Sequence, residues 1–154
     1  MFKYKAILLL LLVAVSGLLI TSCEKDEGNE KKISHHGSSE SHNMGQNCME
    51  CHKSGGGGSG WFNAAGTVYD SLGTNTLANA TIKLYTQANG AGNVKYTIQA
   101  DAKGNFYTTE NVNFGDGLFP SVEGPTGAKF MSTSVQTGAC NSCHGITTGK
   151  LWGE

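Results

Sequence analysis

The fold is decided by the stretch Ala80-Thr81-Ile82-Lys83-Leu84-Tyr85-Thr86, in which alternate side chains are apolar. Residues 94–100 repeat this alternation, with Val, Tyr, Ile and Ala on one face. Period two, together with β-branched and aromatic residues, is typical of strands that bury one face. Asn, Asp and Gly at 89–93 and 101–105 predict the turns that end these strands. The sequence therefore predicts an all-β fold.

The β pattern continues outward from these strands, from residue 61 to residue 135, without a helix of useful length. Short strands at regular spacing favour a small antiparallel β-sandwich. Three motifs here resemble the carboxypeptidase regulatory-like β-sandwich, whose members pair a G-x-V-x-D opening with a later D-x-x-G-x-F turn. They are Gly66-Thr67-Val68-Tyr69-Asp70, Leu77-Ala78-Asn79-Ala80-Thr81-Ile82-Lys83-Leu84 and Asp101-Ala102-Lys103-Gly104-Asn105-Phe106. The resemblance implies a non-catalytic scaffold or display module, and we find no zinc-ligand set in the sequence that would support a peptidase.

The N-terminal segment has the pattern of an export signal. Lys3 and Lys5 precede a short apolar core that is too brief for a comfortable membrane span. The core ends in Ile20-Thr21-Ser22-Cys23, which resembles the lipobox of bacterial lipoproteins. The resemblance implies a signal peptide over 1–22 and a lipid on Cys23 that anchors the chain to a membrane. The expected location is the cell envelope, on the periplasmic or the surface-exposed face of the outer membrane.

The residues after Cys23 are mostly charged or small, so that segment 23–41 is predicted to be a flexible tether. Within it, Lys25-Asp26-Glu27 resembles the surface-export signal of some Gram-negative lipoproteins. The charges of the whole chain are near balance, with a net charge of −1, and they give no indication of nucleic-acid binding.

Two copies of a C-x-x-C-H motif carry the chemistry. Two thiols at this spacing reach the two vinyl groups of one haem, and the histidine that follows falls under the iron as its proximal ligand. The pattern predicts two covalently bound haem c groups and resembles that of multihaem c-type cytochromes. The thioether residues are Cys48, Cys51, Cys140 and Cys143, and the proximal ligands are His52 and His144. With Cys23 lipidated, all five cysteines are accounted for.

Two other uses of paired cysteines fit the sequence less well. Structural zinc sites place their C-x-x-C pairs about 15–20 residues apart, and the two pairs here are much farther apart. Thioredoxin-like redox motifs lie in a βαβ context, which this sequence does not predict.

A second axial ligand on each iron has several candidates. His42 is the first choice, because the chain between it and His52 is long enough to reach round a haem edge. Met44 is a weaker candidate in the same loop. Met49 is poorly placed to be a ligand, because it lies inside the first motif. For the second haem, Met131 is a candidate, although a methionine beside an aromatic residue is more often part of a core. His35 and His36 are alternatives for either iron, or for a neighbouring molecule.

The predicted organisation is therefore a β-sandwich over 61–135 between two short haem segments. The first, 42–60, includes a glycine-rich joint at 55–60, and the second is 136–154. The expected function is electron transfer rather than enzymatic catalysis. Expected partners are redox partner cytochromes or quinol-linked reductases. Self-association into an extracellular cytochrome filament is an alternative, and a haem peroxidase or gas sensor with an open iron is a further one.

Overall fold

The computed structural model describes residues 29–154. The predicted signal peptide, Cys23 and residues 24–28 lie outside the described part of the chain. Among the described residues, no helix is long and apolar enough to cross a membrane.

Two β-sheets pack face to face, and this confirms the prediction of a small all-β sandwich. The strands are β1 (Ala64–Thr67), β2 (Thr81–Tyr85), β3 (Val94–Gln99), β4 (Asn105–Thr108), β5 (Phe119–Glu123), β6 (Ala128–Phe130) and β7 (Gly138–Ala139). The first sheet has the order β4-β1-β7, and the second has the order β3-β2-β5-β6. All neighbouring strands are antiparallel except β1 and β7, which run parallel.

The predicted alternation in β2 fixes which side chains face the other sheet. Ile82 is 2 % exposed, and it lies opposite Ile98 of β3 and Val122 of β5. These side chains join Val68 and Phe106 of the first sheet in one apolar core. The alternation in β3 holds at Ile98 and fails at Val94, which is 44 % exposed. The register of β3 against β2 shifts between Tyr96 and Val94, so that Val94 pairs with Tyr85 and leaves the face that Ile98 shares with Ile82.

The described part of the predicted tether lies against the sandwich, so the structure here differs from a free linker. Ser34 is 1 % exposed, and its backbone N–H donates to the carbonyl of Tyr107 at 3.0 Å. Ile33 forms an antiparallel bridge with Thr108. The physical reason is the open edge of β4, whose free backbone groups need partners. Local composition carries no information about such an edge.

Candidate functional site

The two C-x-x-C-H motifs fold in the same way. Each begins with one turn of 3₁₀ helix, over Cys48–Glu50 in the first and Cys140–Ser142 in the second. In each motif the histidine N–H donates to the carbonyl of the first cysteine at 3.0 Å. The chain is thereby folded back on itself, so that two thiols and one imidazole are grouped within a single turn. The shared local geometry is consistent with a shared chemistry.

Both motif histidines use one ring nitrogen in the same way. Nδ1 of His52 lies 2.9 Å from the carbonyl oxygen of Ser59, and Nδ1 of His144 lies 2.9 Å from that of Gly149. A carbonyl only accepts, so each Nδ1 carries a proton and donates it, and in the neutral ring the lone pair lies on Nε2. Metal-binding histidines are oriented in this way by a backbone carbonyl. Each ring is therefore prepared to donate to a metal through Nε2.

The first motif lines a cavity of about 870 Å³, here called the first cavity. This volume lies within the range of about 300–1,000 Å³ that cofactor sites occupy. Its lining includes Cys48, Cys51 and His52 of the motif, together with two histidines that the sequence proposed as further ligands, His35 and His42. The fold thus brings the candidate distal residues and the proximal residue of the first site to one space.

His42 is the better placed of the two candidates in the first cavity. Its ring centroid lies 5.8 Å from that of His52, with the ring planes inclined by 37°. A metal-bound imidazole nitrogen lies about 2 Å from its metal, so two such nitrogens on opposite sides of one ion are about 4 Å apart and the ring centres somewhat more. The observed separation is of this size.

The His52 ring is held by its neighbours as well as by its hydrogen bond. Phe62 stacks on it with centroids 4.1 Å apart, and Tyr107 stacks on Phe62 in turn. A Cβ added at Gly58 would lie 2.8 Å from the His52 Nδ1, too close for any real contact. The glycine run, interpreted from sequence as a joint, thus includes a residue at which a larger side chain would displace the His52 ring. Nothing in the sequence predicts that Gly58, and not Gly57, lies against this ring.

His144 of the second motif lines a smaller groove of about 340 Å³, here called the second groove, whereas Cys140 and Cys143 do not line it. Met131, the residue proposed from sequence as a ligand for the second haem, lines the same groove. Trp152 also lines this groove, with the Lys129 ammonium 4.6 Å from its ring centroid. The fold therefore places Met131 and His144 on the wall of one groove, which is smaller than the first cavity.

The remaining candidates lie elsewhere. Nε2 of His36 lies 3.2 Å from the carbonyl oxygen of Ala80, and this residue lines neither the first cavity nor the second groove. Met44 is 48 % exposed on the loop that follows His42. Met49 is half-buried within the 3₁₀ turn of the first motif.

All four motif thiols are free. Burial raises the pKa of the Cys48 thiol, and it raises that of Cys140 to about 12, where the neighbouring Cys48 acts in the same direction. Both thiols are therefore neutral near pH 7. In residues 29–154, no group of three or more His, Cys, Asp or Glu side chains is arranged to hold a metal ion by itself.

The two motifs lie side by side, although the whole sandwich separates them in sequence. Both 3₁₀ turns pack against β1. Between them, the Asn141 side chain of the second motif donates through Nδ2 to the carbonyl of Gln46, just before the first motif, at 3.1 Å. Gly138 allows β7 to lie close to β1, because a Cβ there would overlap Ala64 of β1 and the preceding Asn63. In the sequence, the two motifs lie at opposite ends of the β module, whereas the fold brings both of them to β1.

Comparison of the chain with known protein families, with curated proteins and with solved structures gives no match.

Proposed function

We propose that the protein is a dihaem c-type cytochrome that transfers electrons at the cell envelope. The observation that carries this proposal is the shared geometry of the two motifs: two free thiols, a folded-back turn, and a histidine whose Nδ1 is bound to a carbonyl so that Nε2 is free. When bound, haem supplies an iron that accepts and releases one electron at a time. The protein residues hold it, orient it and control access to it.

The proposed roles of the residues follow from their positions. Cys48 and Cys51 attach the first haem and His52 is its proximal ligand. Cys140, Cys143 and His144 have the same roles for the second haem.

The two distal ligands are assigned by proximity. His42 is the proposed distal ligand of the first haem, because its ring lies 5.8 Å from that of His52 in the first cavity. Met131 is proposed for the second haem because it shares the second groove with His144. If His42 and Met131 were both ligands, neither iron would have an open position for a substrate, and the protein would act as an electron carrier and not as a peroxidase or gas sensor.

The test begins with intact mass and the spectrum of the reduced protein, with and without carbon monoxide. The expected result is two haems bound covalently per chain and no change on addition of carbon monoxide. A mass without haem would overturn the cytochrome assignment. A carbon monoxide adduct in the unaltered protein would instead support the gas sensor or peroxidase.

Single substitutions then assign the distal ligands. We expect His42→Ala to open one iron, so that carbon monoxide binds to one of the two haems. His36→Ala is the matched control, because the His36 ring is bound to the Ala80 carbonyl and lines neither site. Met131→Ala should open the other iron. An unchanged spectrum in either ligand variant would show that another residue is the ligand in that site.

The proposed location needs a separate experiment, because it depends on Cys23 and the signal segment. We expect the protein to partition into the membrane fraction and to be labelled by a radioactive fatty acid. Cys23→Ala should abolish the label and release the protein. Protease treatment of whole cells would distinguish the surface-exposed from the periplasmic face. A Cys23→Ala variant that remains labelled would contradict the lipid anchor.

A further inference from the structure

Four buried polar side chains form a connected chain of hydrogen bonds across the first sheet: Ser41, Thr67, Asn105 and Asn141. The Asn105 side chain donates to Ser41 Oγ at 2.8 Å, and its Oδ1 accepts from Thr67 Oγ1 at 2.6 Å. Asn141 Oδ1 accepts from the backbone N–H of Thr67 at 3.0 Å. Asn141 is 2 % exposed, although it is one of the two variable residues of a haem-attachment motif. A buried amide that meets its partners this fully has a defined orientation.

This network holds the loop that carries His42. The carbonyl of Gln46 accepts from Asn141 Nδ2 at 3.1 Å, and the Gly45 N–H donates to Thr67 Oγ1 at 2.8 Å. At the other end of the loop, Asn105 Nδ2 reaches Ser41 Oγ and, at 3.4 Å, the His42 carbonyl. Lys103 Nζ also donates to the Ser41 carbonyl at 2.6 Å.

The loop has little else to fix it. Its side chains from His42 to Met44 are exposed and contribute nothing to the apolar core. Its only internal backbone hydrogen bond among the described contacts runs from the Gln46 N–H to the Asn43 carbonyl. The position of the His42 ring therefore depends on polar contacts with the sheet and with the second motif.

We propose that Asn141, in the second haem motif, is a positioning residue for the first haem: it fixes the loop 41–46 so that His42 stays at its distal position. The inference rests on the proposed function. The two sites are thus coupled through protein structure, independently of electron exchange between them.

The experiment uses the full-length holoprotein and measures carbon monoxide bound per chain after reduction. Asn141→Ala removes the donor to Gln46, and we expect it to open the first iron, so that carbon monoxide binds to one of the two haems. Ser142→Ala is the matched control at the other variable position of the motif, since Ser142 Oγ bonds only locally, to the Ala139 carbonyl at 2.6 Å and the adjacent Cys143 sulfur. The Ser142→Ala protein should bind no carbon monoxide.

A second background tests whether the effect passes through His42. In a His42→Ala chain the first iron is already open, so adding Asn141→Ala should bind no more carbon monoxide, because the two substitutions act on one ligand. A merely structural role for Asn141 would disturb the second haem as well, and binding would rise to two per chain. That outcome would overturn the inference.

A further variant guards against misfolding. Asn141→Leu keeps about the size of the side chain but removes the Nδ2 donor, and it should also open one iron. A folded Leu or Ala variant that binds no carbon monoxide overturns the inference while the proposed function stands, provided that His42→Ala alone opens one iron. A wild-type chain without covalent haem overturns both.

Discussion

Gly58→Ala provides a direct test of how the first motif is held. A Cβ at this position would lie 2.8 Å from Nδ1 of His52 and 2.9 Å from its Cε1 and Cγ. Carbon atoms in contact are normally about 3.5–4.0 Å apart, so the imidazole ring has to withdraw by most of an ångström. Its Nδ1 is 2.9 Å from the Ser59 carbonyl, and a displacement of that size breaks or severely weakens the hydrogen bond. Phe62, stacked on the ring, restricts the alternatives.

The magnitude follows from these contacts. Overpacking in a well-packed site costs about 1–3 kcal/mol, and loss of one hydrogen bond alone costs about 0.5–1.5 kcal/mol. We therefore expect Gly58→Ala to lower the free energy of unfolding by about 1–3 kcal/mol. Gly57→Ala is the matched control, because a Cβ there meets nothing within 4 Å and neither glycine has a positive φ. It should be neutral or stabilise by up to about 1 kcal/mol, through the unfolded chain.

The assay is urea unfolding of the purified variants, followed by circular dichroism, with the same slope required for all three proteins. Under the proposed function, the carbon monoxide experiment on the same samples would report on the first haem site, because the His52 ring is displaced in Gly58→Ala and undisturbed in Gly57→Ala. Equal unfolding midpoints for the two glycine variants would refute the reasoning, because it would mean that the His52 ring does not lie against this backbone.

Three other predictions concern the scaffold. Phe106→Ala should lower the free energy of unfolding by about 3–5 kcal/mol in urea titration, because its ring is fully buried. Leu72→Ala is the control at an 85 % exposed position, and it should change the free energy of unfolding by less than about 0.5 kcal/mol. Asp101→Ala removes a buried carboxylate oxygen that accepts from two backbone N–H groups, and should cost about 1–3 kcal/mol in the same titration; a neutral result would mean that the 101–105 turn forms without it. The backbone N–H of Thr74 donates to Asp70 and lowers the pKa of that carboxyl below its usual 3.8. The resulting stabilisation is complete above pH 3.8 and is lost as the pH falls through the lowered value, so Asp70→Asn should unfold with a weaker dependence on acid pH than the wild type.

The sequence was sufficient to predict the fold class, for a reason that is local. In a strand, successive side chains point to opposite faces, so the alternation in β2 predicts which of its residues are buried. Ile82 and Leu84 are buried as that alternation requires. The same reasoning failed at Val94, because the register of β3 against β2 shifts between Tyr96 and Val94. Such a shift depends on how the two strands pair, and the alternation within one strand does not predict it.

The candidate site, like the fold, could be predicted from the sequence only in part. The spacing of cysteines and histidine within each motif identified the residues that would attach haem, because that chemistry acts over five consecutive residues and needs no tertiary information. The sequence also predicted His42 as the first choice and Met131 as a candidate for the second iron, from distance along the chain, and it left His35 and His36 as alternatives. Only the folded chain places His42 beside His52 and turns His36 toward Ala80.

Other features were decided by the tertiary structure alone. Gly57 and Gly58 are adjacent members of one glycine run, yet only Gly58 lies against the His52 ring. Asn141 occupies a variable position of its motif, yet it is buried and bonded to a loop from the other end of the chain. Covalent spacing fixes which atoms can reach one haem, and side-chain alternation fixes which face of a strand is buried. Contacts between segments far apart in sequence depend on how the sheets pair, and the two motifs meet because both flank β1, the central strand of the first sheet.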